Sequence, residues 1–414
     1  MTVKTIQVCA DEWKTLPWKK FQKNLFRLQH RIFRAAKKND FSSVKRLQSL
    51  LLGSKCSKYL AVRQITQLNA EKKTGEVDGV KSLNPKERLQ LVTQLDSMKD
   101  WKHRKLRRVY LFKANGKYIP TVQDIAMQYL VKYALEPVYE SYASDESYGF
   151  RLAHSTWYVQ NRLFQNLNSN SHKKTILKLD IEGCFDNISH EKMLTLTTLP
   201  GVAKKFLRSA LEVGVLKERD KTLVGNIISP LLSNIALYSV EDLNNSKIRG
   251  QKYQRGFRYA NDIVFILMPG ECAETLLNKV KDFLSTRGLK ADEAKTKIVS
   301  SLDGFDFLGW HFRIKSKNEK FVSYPSRKNR KQMINKIKSV LRDSRYKIDA
   351  RLRKAKVIYR DWWNYHQFSD MRQVNLWSIR YWMYKYVRKS TKMSSEEILK
   401  HLKEIFNRNS YRVN

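Results

Sequence analysis

The alternation of apolar and polar positions divides the chain into helical and extended stretches. Trp18, Phe21, Leu25, Leu28, Ile32 and Ala36 recur at steps of three and four, the spacing that lines one face of an α-helix. The same steps carry Lys20, Lys23, Arg27, Arg31, Arg34 and Lys38. At about 100° per residue the two stripes point roughly 140° apart. Pro17 stands where a helix start tolerates proline, so a helix over 18–38 with one apolar and one basic face is predicted. Further helices are predicted for "TVQDIAMQYLVKYALEPVYE" (121–140) and "SPLLSNIALYSVEDL" (229–243). "SRKNRKQMINKIKSVLRDSRYK" (326–347) reads as another, with Ser326 as its cap and Met333, Ile337 and Val340 or Leu341 on its apolar side. Extended stretches lie between them. "KTILKLDIEGCF" gives a short apolar strand ending at Asp180, and "FRYANDIVFILM" a strand pair about a tight turn at Ala260–Asn261. "GFDFLGWHFR" (304–313) reads as a hairpin with Gly309 in its turn.

Charge changes this picture from a generic globule to a polyanion-binding protein. The 414 residues carry 80 Lys+Arg against 39 Asp+Glu, a formal net charge of +41, and nucleic acid is the usual partner for such an excess. A hydrophobic content of 42% and an aromatic content of 11% exclude a disordered basic tail. The excess sits at the ends: residues 14–69 hold 14 basic residues and one acid, Asp40, and residues 313–414 hold 28 basic and 8 acidic residues. The four cysteines lie far apart with no CxxC pair, which gives neither a disulfide framework nor a zinc site and fits a reducing compartment. The apolar run "IVFILM" is too short to cross a bilayer, so no membrane partner is expected. The opening "MTVKTIQVCADEW" has the pattern of neither a signal nor a transit peptide.

Two acids stand where chemistry is possible. Adding nucleotides to a growing strand uses divalent ions held by carboxylates from neighbouring strands. An acid closing a strand (Asp180) and one in a hairpin turn (Asp262) fit such a scheme. Alone they say little, because acids commonly close strands and populate turns.

Order and context add more. "WKKFQKNLFRLQHRIFRAAKKND", "RRVYLFKANGK", "SYGFRLAHST", "LDIEGCFDNISH", "GNIISPLLSNIAL", "RYAND", "LKADEAKTKI", "FDFLGWHF" and "RDWWNYHQF" follow one another along the chain. In that order they resemble the group II intron-encoded reverse transcriptases, or maturases, over nearly the whole length. The resemblance implies an α+β fold: right-hand polymerase-like fingers and palm, an antiparallel sheet with helices, then an all-α thumb. It implies a basic N-terminal extension over 1–80, fingers and palm over 81–312 and a thumb, or X domain, over 313–414. It makes Asp180 and Asp262 metal-binding acids for Mg²⁺, and Phe185 the residue packing under the incoming sugar. The first acid of the family's turn is Asn261 here. An amide is neutral and offers only its carbonyl as a ligand, so Mg²⁺ binding is expected to be weak or lost. Two more departures point the same way: "LVG" at 223–225 replaces the family's Pro-Gln-Gly, and the segment from "KANGK" to "IPTVQD" lacks an Arg-Pro-Leu-Gly-like insert.

The expectation is therefore a maturase that binds structured intron RNA and assists its folding and splicing, with reverse transcription lost and Mg²⁺ required by the RNA. Its RNA contacts are expected at the basic stripe of 18–38 and at Lys328, Lys331, Arg342, Arg345 and Arg360. Trp362, Trp363, Trp377 and Trp382 are expected mostly in the thumb core. About 24 residues follow "VRKS", without a cysteine or histidine cluster, so a zinc-bearing endonuclease is not expected. The alternatives are an active intron-encoded RNA-directed DNA polymerase and a general RNA chaperone. A Lys-, Asn- and Tyr-rich composition suits an AT-rich genome, hence plastid stroma if organelle-encoded, otherwise bacterial cytoplasm; a homodimer is compatible with either.

Overall fold

The computed structural model describes residues 12–68, 83–104, 107–111, 114–119, 121–168, 173–212, 227–248, 251–253, 255–315 and 320–406. Runs of helices at both ends flank a centre of helices and short strands, which form two hairpins, a three-stranded sheet and a four-stranded sheet among the described residues. In the four-stranded sheet the order is Gly256–Tyr259, Asp262–Leu267, Thr175–Leu179, Lys297–Ser300. The chain divides into two compact units, residues 1–154, 179–265 and 274–296 in one, and 155–178, 266–273 and 297–414 in the other.

The first unit begins with the predicted amphipathic helix, α1 (Trp18–Lys37). Leu25, Ile32 and Ala36 of its apolar stripe are buried, and its basic residues remain exposed. Asp40 then accepts a hydrogen bond from the Ser43 amide at 3.0 Å, which caps α2 (Phe41–Gly53). These helices pack against α3 (Val122–Glu140), most of whose side chains are buried. Pro137 lies inside α3 and, lacking an N–H, leaves the Tyr133 carbonyl without its helical donor. Gln29 of α1 reaches that carbonyl at 3.1 Å. Gln48 of α2 donates to the carbonyls of Ala134 (3.0 Å) and Thr198 (2.8 Å). Gln29 thus satisfies the carbonyl that Pro137 leaves without a donor, and Gln48 ties α2 to two further backbone carbonyls.

The helix expected over 229–243 is shorter. It ends at Ala236, and Ser239 takes a left-handed backbone (φ 69°) before a 3₁₀ turn over Val240–Asn244. That break turns Glu241 fully inward, where neither end of a solvent-facing helix would place an acid.

In the second unit Phe305–Phe307, Trp310–Ile314 and Phe321–Pro325 form the three-stranded antiparallel sheet, with Trp310 opposite both Phe307 and Pro325. Gly309 makes the first turn with φ 86°, a conformation only glycine adopts freely. Ser326 caps α4 (Arg327–Arg342) as predicted, and Met333, Ile337 and Leu341 are its buried stripe. They join Leu352, Tyr359, Ile379, Met383 and Leu402 of the following helices in one core. Trp362 is buried there, with Trp363 and Trp382 packed against it. Trp377 is the exception among the four: it is 68% exposed, because the core-facing positions of its helix fall at Ile379, Met383 and Val387 instead.

The Asn329 side-chain carbonyl accepts from Trp362 Nε1 at 2.6 Å and faces His366 Nε2 at 3.0 Å. Burial holds His366 far below its ordinary 6.5, at about 3, since a charged imidazole would lose its hydration. The unfolded chain then takes up a proton that the folded one refuses, so this contribution is complete above pH 6.5 and is lost as pH falls from 6.5 toward 3. We expect the melting temperature to drop across that window, and His366→Gln to make the drop shallower; a variant with an unchanged pH slope would remove His366 as the cause.

Candidate functional site

Asp180 leaves the end of the strand Thr175–Leu179, whose Ile176, Leu177 and Leu179 anchor it in the core. Its counterpart is the hairpin Gly256–Tyr259/Asp262–Leu267, where Tyr259 pairs with Asp262 across the two-residue turn Ala260–Asn261. Ala260 is held at φ 58°, a region that costs an L-residue about 1–2 kcal/mol. Something must enforce it, and two supports are in place. Gly149 backs onto the turn so closely that a Cβ there would lie 2.2 Å from the Ala260 nitrogen. Below it Arg258, fully buried, bonds to Glu241 (3.1 Å), Asn234 (2.8 Å), Ser147 (2.6 Å), Tyr139 (3.3 Å) and the Ala260 carbonyl (3.2 Å). The backbone of Arg258 also bonds both ways with the 146–148 segment, to the Glu146 carbonyl and from the Tyr148 amide, each at 2.9 Å, in an isolated parallel bridge with Ser147.

Asp180 is only 8% exposed, and both oxygens of its carboxylate are engaged. Oδ1 accepts from the Ile181 amide at 2.8 Å and from Asn261 Nδ2 at 2.9 Å. Oδ2 meets the Lys295 ammonium at 2.7 Å, and Lys295 also reaches Asp292 at 2.9 Å. Both bonds, that to Asp180 first, push the ammonium of Lys295 above its ordinary pKa, and the bond to Lys295 pulls Asp292 below its own. The segment carrying Lys295 is zipped along Asp180: Asp292 N donates to the Asp180 carbonyl at 2.9 Å, and Glu182 N to the Lys290 carbonyl at 3.0 Å.

This donor set differs from that of a two-ion centre. Where a divalent ion would meet Asp180, an ammonium and an amide N–H already point, and neither donates electrons to a metal. Asp262 is half-buried beyond the turn. Among the described residues no group of three or more His, Cys, Asp or Glu is arranged to hold an ion. As they stand, the residues do not fit a Mg²⁺ pair. The structure thus brings together Asp180 and Asn261, as the sequence suggested, and adds Lys295 and Asp292, which it did not. Their only signal was the Asp-x-x-Lys step within "LKADEAKTKI". The side chain of Phe185, like "LVG" at 223–225, lies outside the described residues.

The predicted RNA contacts are elsewhere on the surface. Lys20, Lys23, Arg27, Arg31, Arg34 and Lys38 are all exposed, and so are Lys328, Lys331, Arg342, Arg345 and Arg360. Within the second set the cations are not equivalent. Arg345 is clasped by Asp343 at 2.8 Å and Arg360 by Asp361 at 3.1 Å, while Arg342 lies 5.5 Å from the ring centroid of Trp382.

Comparison with known proteins agrees with this architecture. Residues 13–95 match the N-terminal domain of reverse transcriptase, and residues 112–312 match reverse transcriptase (RNA-dependent DNA polymerase). Maturase-like protein 1 of Euglena gracilis is 32% identical over 367 residues, covering 86% of this chain and 78% of that protein. Its Euglena longa counterpart is 30% identical over 370 residues, covering 87% and 79%. Group II intron-encoded protein LtrA of Lactococcus lactis is 29% identical over 199 residues, 44% of this chain and 32% of LtrA. Among solved structures, telomerase from Candida albicans aligns over 74% of this chain and 62% of its own at 12% identity, with a TM-score of 0.40. The two matched domains make the fold that of a reverse transcriptase, mixing helices with antiparallel sheets. The chain belongs to the group II intron reverse transcriptase/maturase family.

Because Arg258 and Glu241 are both wholly buried, removing one charge strands the other. Glu241→Gln should lower unfolding free energy by about 3–5 kcal/mol, and Arg258→Met, which also leaves Asn234, Ser147 and the Ala260 carbonyl without their donor, should cost at least as much. Denaturant melts of the two variants beside the native chain decide this; a loss under about 1 kcal/mol for either would mean that the buried pair does not hold the unit.

Proposed function

We propose that the chain is a maturase that binds folded group II intron RNA and assists its splicing, and that it has lost reverse transcription. One contrast carries the reading. The acid that would hold catalytic metal has its charge met internally by Lys295 and capped by Asn261. The six stripe cations Lys20, Lys23, Arg27, Arg31, Arg34 and Lys38 face solvent with no acid from residue 14 to 39 in sequence, and no ion pair joins any of them among the described residues. The centre is neutralised and the surface is not.

A solvated helix face usually mixes signs; a face of one sign attracts phosphate and displaces the condensed ions around RNA. Successive cations on α1 lie three or four residues apart, about 5–6 Å between neighbouring side-chain roots, a spacing suited to successive phosphates. Lys328, Lys331 and Arg342 on α4 supply a second basic surface. The RNA itself performs the transesterifications and holds the Mg²⁺ they need. The protein supplies charge and shape. By binding only the folded intron it shifts the folding equilibrium in proportion to its concentration over its dissociation constant. The palm-like region, with its acid occupied, acts as a scaffold, and Mg²⁺ held by the protein is weak. The relatives named maturase-like protein in Euglena support the maturase reading, and a Lys-, Asn- and Tyr-rich chain suits the AT-rich genome of a plastid.

Reversing Lys20, Arg27, Arg31 and Arg34 to Glu should weaken intron binding at least about tenfold and lower the salt dependence by about one log–log unit per lost phosphate contact, with the fold intact by circular dichroism. Unchanged affinity at physiological salt would sink the assignment. Primer extension on an RNA template in Mg²⁺ should give no product with the native chain. Abundant cDNA from it would show that polymerase activity survives, and product from Asn261→Asp alone would locate the loss at that side chain.

A further inference from the structure

Trp377, Tyr381 and Lys385 occupy steps of four on the helix Trp377–Ser390, the spacing at which neighbouring side chains meet. The rings of Trp377 and Tyr381 are stacked, with centroids 5.0 Å apart and planes within 9°. The Lys385 ammonium closes the ladder 4.6 Å from the Tyr381 centroid. The arrangement is built from both sides. The opposite face of the helix, Ile379, Met383 and Val387, is locked into the core, and the Asn375 side chain accepts from the Trp377 amide at 2.8 Å, fixing the first turn. Yet the rings are left in water: Trp377 is 68% and Tyr381 45% exposed.

We propose that this ladder is a stacking platform for an unpaired base of the bound RNA, which adds as the next rung on the outer face of Trp377. The proposal rests on the RNA-binding reading above and specifies what this part of the surface recognises. An indole stacked on one side and open on the other offers a flat, polarisable face already held in place, so a base loses little further freedom of the protein in binding it. The cation behind Tyr381 polarises the stack in the sense that favours another ring.

The charge around it selects the partner. Between Asp370 and Glu396 the chain has no acid; Arg372 is held by Asp370 at 2.8 Å, and Arg380, Lys385, Arg388, Lys389 and Lys392 follow along and just beyond the helix. Such a surround matches the phosphates on either side of a splayed base. It suits a protein partner poorly, because the centre of a protein interface is depleted in lysine and in like charge. Paired RNA presents no free base face and is recognised by shape and backbone, so the ladder selects loops, bulges or junction bases.

The test compares the full-length chain with Trp377→Ala and Trp377→Phe, using single-stranded oligoadenylate and a blunt RNA duplex of equal length as probes. Trp377→Ala should bind the single strand about tenfold more weakly, in line with about 1–3 kcal/mol per stacked base. It should bind the duplex as the native chain does and keep an unchanged salt slope, because no phosphate contact is removed. Trp377→Phe should recover most of the loss. Equal weakening on both probes, or none on either, would overturn the platform, as would a shift in sedimentation showing that Trp377 joins two copies. Failure of the native chain to bind either RNA would overturn the RNA-binding reading itself; duplex binding with no Trp377 effect on the single strand would overturn the platform alone.

Discussion

The buried guanidinium of Arg258 is the interaction on which the first unit depends. It sits on a strand with no exposure and gathers Glu241, Asn234, Ser147, Tyr139 and the Ala260 carbonyl around it. Those groups come from the helix Val122–Glu140, the 144–149 segment, the helix Ser229–Ala236 and the 3₁₀ turn after it. A charge in so dry a place is tolerable only when its donors are met, so each of these elements is held at one distance from the hairpin. The left-handed turn at Ala260 and the break at Ser239 follow from this: both bend the backbone where an unconstrained chain would run straight, and both deliver a ligand to the same guanidinium. Gly149 and Gly256 complete the fit, since a Cβ at either would strike backbone, at 2.2 Å from the Ala260 nitrogen and 2.1 Å from the Glu241 carbonyl.

The neighbouring acid is held by different means. Asp180 is met by one ammonium, one amide and one backbone N–H, two of which arrive by backbone zipping or by the hairpin turn. Lys295 is itself largely exposed, at 62% of its side chain, so its grip on Asp180 is soft compared with that of Glu241 on Arg258. The two arrangements serve different ends. The inner one sets shape, and the outer one balances charge at a site whose geometry the inner one dictates.

Much of this was legible in the sequence. The amphipathic stripe of α1, the Ser326 cap, the strand closing at Asp180 and the Ala260–Asn261 turn all follow from local periodicity and turn chemistry, and all are present. What escaped was non-local. Arg258 reads as an ordinary basic residue in a strand, and nothing in its neighbours reveals that an acid 17 positions back has been folded inward to meet it. Lys295 lies 115 positions from Asp180 and reads as one more cation in a basic chain. Trp377 was hidden for the opposite reason. Four tryptophans in an aromatic-rich helical stretch suggest a core, and for Trp377 only the phase of Ile379, Met383 and Val387 shows that it is turned out.

The close approach of Gly149 to Ala260 separates two kinds of heritable change. Substitutions that touch the backbone of the turn collide with neighbours and are removed with the fold. A substitution at Asn261 alters a side chain that needs only one hydrogen bond to Asp180. Mutation can therefore erase an enzymatic charge while every surface built around it keeps its contour. In such a protein catalysis can decay and recognition persist, and a lineage can turn from copying a nucleic acid to holding one without passing through an unfolded ancestor.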